Sequence, residues 1–261
     1  MGVGTAALAL AWACGTAPAT TQGRTPIPPG CSRQPVQERL GNGGFEDPKV
    51  TGGGYMTLGP PGAARLWTSS CNLGGWQLAG PLDLVSAKGT DSKPAEKDQF
   101  VDLDQHAGPG GTKVFSDIYQ DVATESGHRY EVSVRIAANA NGDPPNKAAT
   151  LSAGDAHMTL SAATGKHTKQ SLGWTPATLT FTATGSVSRI EIKGSTATDN
   201  GLLVDDVQMH ELPGPPIVLY AVAGAAALLL VGGGAWFIIR RLGLALTLPG
   251  RAAGGPGPAP R

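Results

Sequence analysis

Twenty-three consecutive residues, Ile217 to Ile239, carry no charge, and that run divides what the rest of the chain can become. At about 1.5 Å per residue a helix of that length reaches about 35 Å, enough to cross a hydrocarbon core of about 30 Å with some tilt. Arg240 and Arg241 follow at once, and Trp236 sits near that boundary like an interfacial aromatic. By the positive-inside rule the tail is cytoplasmic and everything before Ile217 is outside. A buried core helix is the alternative; Pro213, Pro215 and Pro216 on one side and paired arginines on the other argue against it. The expectation is a single-pass cell-membrane protein with an extracellular N-terminal domain and one transmembrane helix over 217–239.

The N-terminus supports export. Residues 1–19 are apolar and small, as in a secretory signal, and Ala11-Trp12-Ala13 and Ala17-Pro18-Ala19 offer small-x-small cleavage sites. No Lys or Arg precedes Arg24, so either the true start lies upstream or the α-amino group supplies the leader's charge. Cys14 is a weak lipid-acceptor candidate. With the signal removed, Cys31 and Cys71 form an even pair in an exported segment, which reads as a disulfide; two unpaired thiols are the alternative.

Residues 20–40 read as an irregular, Pro-containing lead-in, 41–211 as the folded domain, 212–216 as a Pro-rich spacer and 240–261 as a cytoplasmic tail too poor in large apolar residues to fold alone. Inside the domain, short runs alternate apolar with polar residues: Phe100–Leu103, Ile118–Val122, Tyr130–Ile136, Leu179–Ala183, Arg189–Lys193 and Leu203–Val207. Gly- and Asn-containing turns separate them, and no useful helical period occurs between the two terminal apolar segments. An antiparallel jelly-roll β-sandwich is therefore predicted.

The order of several short motifs carries further information. Asn42-Gly43-Gly44-Phe45-Glu46 opens the domain, followed by Gly75-Trp76, Val101-Asp102-Leu103 and Ile118-Tyr119-Gln120. Gly127-His128-Arg129-Tyr130, Ala138-Asn139, Gly173-Trp174 and Phe181-Thr182-Ala183 come next, and Gly201–Val207 closes it. This order resembles the choice-of-anchor C family and its relatives, which share a galactose-binding-like sandwich with many carbohydrate-binding modules. The resemblance covers about Gly41 to Met209 and implies a surface-displayed binding domain with polysaccharide as the ligand class. In some such sandwiches the opening acidic motif and closing aspartates hold a structural Ca²⁺; the matching positions here are Glu46, Asp47, Asp205 and Asp206. The alternative leaves Glu46 and Asp47 in a turn and an aspartate facing solvent.

Catalytic patterns are scarce. No Gly-x-Ser-x-Gly elbow, phosphate-binding Gly-Lys-Ser/Thr loop or His-x-x-x-His pair occurs. Asp98, Asp102, Asp104 and Asp117 are carboxylates whose sequence spacing cannot place them across a cleft, so no enzyme is expected. Acidic and basic residues balance at 20 each, which gives no whole-chain argument for nucleic acid. Sugar binding calls for exposed aromatics. Trp76 and Trp174 read as core residues, whereas Tyr55 and Trp67, in or beside Gly/Pro-rich loops, are the candidate sugar platform. The expectation is a membrane-anchored module that recognises glycan; a surface adhesin that contacts another protein is the alternative.

Overall fold

The computed structural model describes residues 27–28, 30–52, 54–60, 68–107 and 112–214. The expected signal, Cys14, Trp67, the transmembrane segment and the tail lie outside the described residues. Among the described residues no helix is long and apolar enough to cross a membrane.

Alternating side chains become strands. In chain order they are β1 (Tyr55–Gly59), β2 (Thr68–Ser69), β3 (Asn72–Leu73), β4 (Trp76–Leu78), β5 (Leu82–Ser86), β6 (Gln99–Leu103), β7 (Gln105–Ala107) and β8 (Lys113–Phe115). Then come β9 (Asp117–Ala123), β10 (Arg129–Ala138), β11 (Asn146–Ala153), β12 (Ala156–Ala163), β13 (Thr175–Thr182), β14 (Val187–Gly194) and β15 (Leu202–Glu211). One sheet runs β13-β10-β15-β6-β5-β1-β2 and the other β12-β11-β14-β9-β4-β3; β7 and β8 form a separate ribbon. Every strand pair is antiparallel except the short β1–β2 contact. The all-β expectation therefore holds as a two-sheet sandwich.

The core lies between the sheets. Val132, Val134 and Ile136 of β10 face Leu151 of β11 and Ile190 and Ile192 of β14 in one buried cluster that also takes in Trp76 and Phe45. A bulge interrupts β15: Asp206 takes a φ of 49°, and the pairing with β10 shifts between Ser133 and Arg135. The extra residue reverses the in-out parity. Leu202 and Val204 point to the core before it, and Val207 rather than Asp206 does so after it. Gly43 is required here, because a Cβ would collide with the Val207 carbonyl, and the Val207 amide donates back to Gly43 O at 2.9 Å.

The lead-in is tied to the six-stranded sheet. Gln37 bridges to Val122, Arg33 Nη1 reaches Asp121 Oδ2 at 3.3 Å, and a disulfide joins Cys31 to Cys71. On that sheet's outer face, Arg189 pairs with Asp121 at 2.8 Å and lies 3.7 Å over the Tyr119 ring. The seven-stranded sheet instead keeps a smaller apolar cluster on its outer face: Phe100, Ala137, Leu172 and Leu203, with Val85 and Trp174 against them.

Candidate functional site

The outer face of the seven-stranded sheet carries a cleft of about 230 Å³, which an alternating strand pattern alone does not explain. Asp83, Asp102 and Leu203 of its lining belong to a row in cross-strand register: Thr57 of β1 opposite Asp83 of β5, Asp83 opposite Asp102 of β6, Asp102 opposite Leu203 of β15, and Leu203 opposite Ala137 of β10. Leu84, Val101 and Val204, the next residues along, face the core, so the polar row is forced outward by strand parity.

Each carboxylate is held. Thr57 Oγ1 donates to Asp83 Oδ1 at 2.5 Å. Asn139 Nδ2 and the Gly201 amide donate to the two oxygens of Asp102 at 2.6 and 2.8 Å. Gly201 must be glycine, since a Cβ there would strike the Leu103 carbonyl. Asp104, two residues beyond Asp102, accepts from Ser116 Oγ at 3.3 Å and pairs with His106 Nε2 at 2.6 Å; the same nitrogen is 3.8 Å from Asp83.

Two loops wall the cleft. The connection after β5 brings Thr90 and Ser92 to one side, and the loop before β13 brings Lys169 and Leu172 to another. They are joined where Trp174 Nε1 donates to Lys93 O at 2.8 Å and Lys93 N donates to Lys169 O at 3.2 Å. Trp174 meets Phe100 edge-on at 5.6 Å, outside the main core, which corrects the expectation that it would be a core residue like the fully buried Trp76. Asn139, Asn141 and Asn200 supply amides, and Tyr55, 60% exposed, stands at the edge on β1. Of the two expected sugar-platform residues, Tyr55 lines this cleft.

Burial and mutual repulsion shape the protonation. Burial, then the neighbouring Asp104 charge, pushes Asp83 up to about 6 against the opposing Thr57 hydrogen bond and His106. Asp102 is raised further by the same two causes, with Asn139 and Gly201 opposing. Burial would lower His106, but the Asp104 contact and the charges of Asp104, Asp83 and Asp102 leave it raised. Burial likewise lifts Asp205 to about 7.

A raised acid holds its proton in the folded state at pH values where the unfolded chain has lost it. Its contribution is thus full below the unfolded value and fades as pH rises through the folded one. A raised histidine has the same sign. Melting temperature is therefore expected to fall between about pH 5 and about pH 8, by at least about 3 °C. A flat or rising thermal-melt profile over that interval would contradict the assignment.

The four positions matched to calcium have the following partners. Glu46 Oε1 accepts the Asp98 and Gln99 amides, and Lys49 sits on its other oxygen. Asp205, fully buried, takes the Ala95, Glu96 and Asp206 amides; Asp47 has its amide bonded to Asn42, and Asp206 accepts from Gln208. As placed, Glu46 and Asp205 both accept backbone amides of the 95–99 segment. Among the described residues, the side chains able to converge on a cation are Asp83, Asp104 and His106, with ligand atoms within 4.8 Å of one another.

No protein-family model matches the chain, and no curated protein does. Among solved structures it is similar to TmCBM61 in complex with β-1,4-galactotriose, at 14% identity and a TM-score of 0.39 over 69% of this chain and 100% of that one. It is also similar to a CBM4 structure, at 14% identity and a TM-score of 0.36 over 66% of this chain and 98% of that one. A third is the CBM22-1 xylan-binding domain of Paenibacillus barcinonensis Xyn10C, at 10% identity and a TM-score of 0.38 over 56% and 91%.

Proposed function

We propose that the chain is a cell-surface glycan-binding module whose site is the cleft on the seven-stranded sheet. The observation that carries this reading is the composition of the cleft around Tyr55: one exposed ring beside carboxylates and three side-chain amides. A sugar ring offers a flat C–H face and a rim of hydroxyls that both donate and accept. An aromatic face suits the first, and Asp and Asn side chains suit the second.

The reading is of binding without cleavage, and it is supported at Asp102, whose two oxygens are engaged by Asn139 and Gly201. The motif order resembling the choice-of-anchor C family and the uncharged run at 217–239 support display on the outer surface by a single membrane span. Replacing Tyr55 with alanine in the full-length chain is expected to weaken oligosaccharide binding about tenfold with the melting temperature unchanged. Unaltered affinity in a titration calorimeter would remove Tyr55 from the site, and shortened oligosaccharide after incubation would refute binding without cleavage.

A further inference from the structure

The floor of the cleft holds more acid than base. Asp83 and Asp102 stand directly opposite on neighbouring strands, with Asp104 just beyond and the His106 imidazole 2.6 Å from Asp104 and 3.8 Å from Asp83. Lys147 of β11 is fully buried nearby, but its ammonium donates to the Gly142 carbonyl at 3.1 Å. Lys169 lines the wall from the loop before β13, and Asp199, also lining the cleft, has Lys113 of β8 4.0 Å away. From β1, Thr57 donates its hydroxyl to Asp83 and Tyr55 lines the cleft.

Asp83 is the carboxylate a ligand can reach. Its side chain is 19% exposed, against 2% for Asp104. Thr57 Oγ1 donates to Asp83 Oδ1, and His106 Nε2 lies 3.8 Å from the same oxygen. Like charges this close do not ionise together without penalty. An entering ammonium would relieve the crowding, whereas a ligand carboxylate or sulfate would add to it. The chain as a whole carries 20 acidic and 20 basic residues, so such a preference would come from the cleft and not from the overall field.

We propose that the cleft selects glycans that place a protonated amine against Asp83 and discriminates against rings bearing carboxylate or sulfate. This rests on the glycan reading above and adds the charge class of the ligand.

The test titrates the full-length chain near neutral pH and low salt with three oligosaccharides of equal length: a glucosamine oligomer, its N-acetylated counterpart and a galacturonic acid oligomer. The amine oligomer is expected to bind at least about tenfold more tightly than the N-acetylated one, and the acidic oligomer most weakly. In Asp83→Asn the ratio of amine to N-acetyl affinity is expected to fall to within about threefold; the ratio, not the absolute affinity, is the readout. In the unaltered chain at one fixed pH the same ratio is expected to shrink as added salt screens the contact, which keeps the test intact if the variant does not fold. Equal or tighter binding of the acidic oligomer, or a preference that survives both Asp83→Asn and added salt, overturns the proposal while leaving glycan binding in place. Failure of all three oligomers to bind removes the glycan reading itself, and the amine preference with it.

Discussion

Replacing Trp76 with alanine is expected to destabilise the sandwich by about 4 kcal/mol, the largest effect of any single change considered for this chain. The indole is fully buried on the three-residue strand β4 and lies 5.7 Å from the Phe45 ring at a tilt of 41°. Its Nε1 donates to the Asn42 carbonyl at 3.2 Å, the same oxygen that receives the Phe45 amide at 3.1 Å. Truncation would leave a cavity between the sheets and weaken the turn that holds Phe45 at a φ of 54°. Trp174→Ala should cost less than half as much, because that ring is half-buried on the outer face and packs chiefly against Phe100. Urea unfolding of both variants would check this; a Trp76→Ala loss below about 1 kcal/mol would mean that the core does not depend on this anchor.

Opening the disulfide is expected to cost nearly as much. Cys31 and Cys71 are 40 residues apart in sequence, and closing a loop of that length removes chain entropy from the unfolded state worth about 4 kcal/mol. The bond also fastens the lead-in, so its loss should loosen the Arg33–Asp121 pair and the Gln37–Val122 bridge. The cleft belongs to the other sheet and should keep its ligand affinity. Comparing melting temperature with and without reductant, and in the Cys31→Ser/Cys71→Ser double variant, tests both halves. Indifference to reductant would mean that the lead-in contributes nothing to the fold. Such a bond also needs an oxidising compartment, in keeping with the proposed export.

Strand positions were legible wherever β-branched or aromatic residues alternated with polar ones, as in Tyr130–Ile136 and Arg189–Lys193, which lie within β10 and β14. The β11–β12 hairpin was not. Its core-facing residues include Ala149 and Ala153, and alanine carries no strand signal, so only pairing with β14 makes this segment a strand. The cysteine pairing was readable from parity. Of the residues lining the cleft, the sequence pointed to Tyr55, an aromatic beside glycines, and to little else. Asp102 and Asp104 look in sequence like any solvated face, and what makes them a site is the register that sets Asp83 opposite Asp102. Trp174 misled for a related reason: a Gly-Trp pair does not say which face of a sheet its loop will fold over. Asp205 is a buried carboxylate that accepts three amides, a role that leaves the same trace in sequence as binding an ion.

The central claim is that the open face of the seven-stranded sheet is where glycan binds. The most direct measurement is an oligosaccharide titration of the isotope-labelled full-length chain followed by NMR. The account expects saturable shifts in the side-chain amides of Asn139, Asn141 and Asn200 and in the Tyr55 ring, with the Arg33–Asp121–Arg189 region of the other sheet unmoved. Shifts confined to that other sheet, or none with any oligosaccharide, would contradict it.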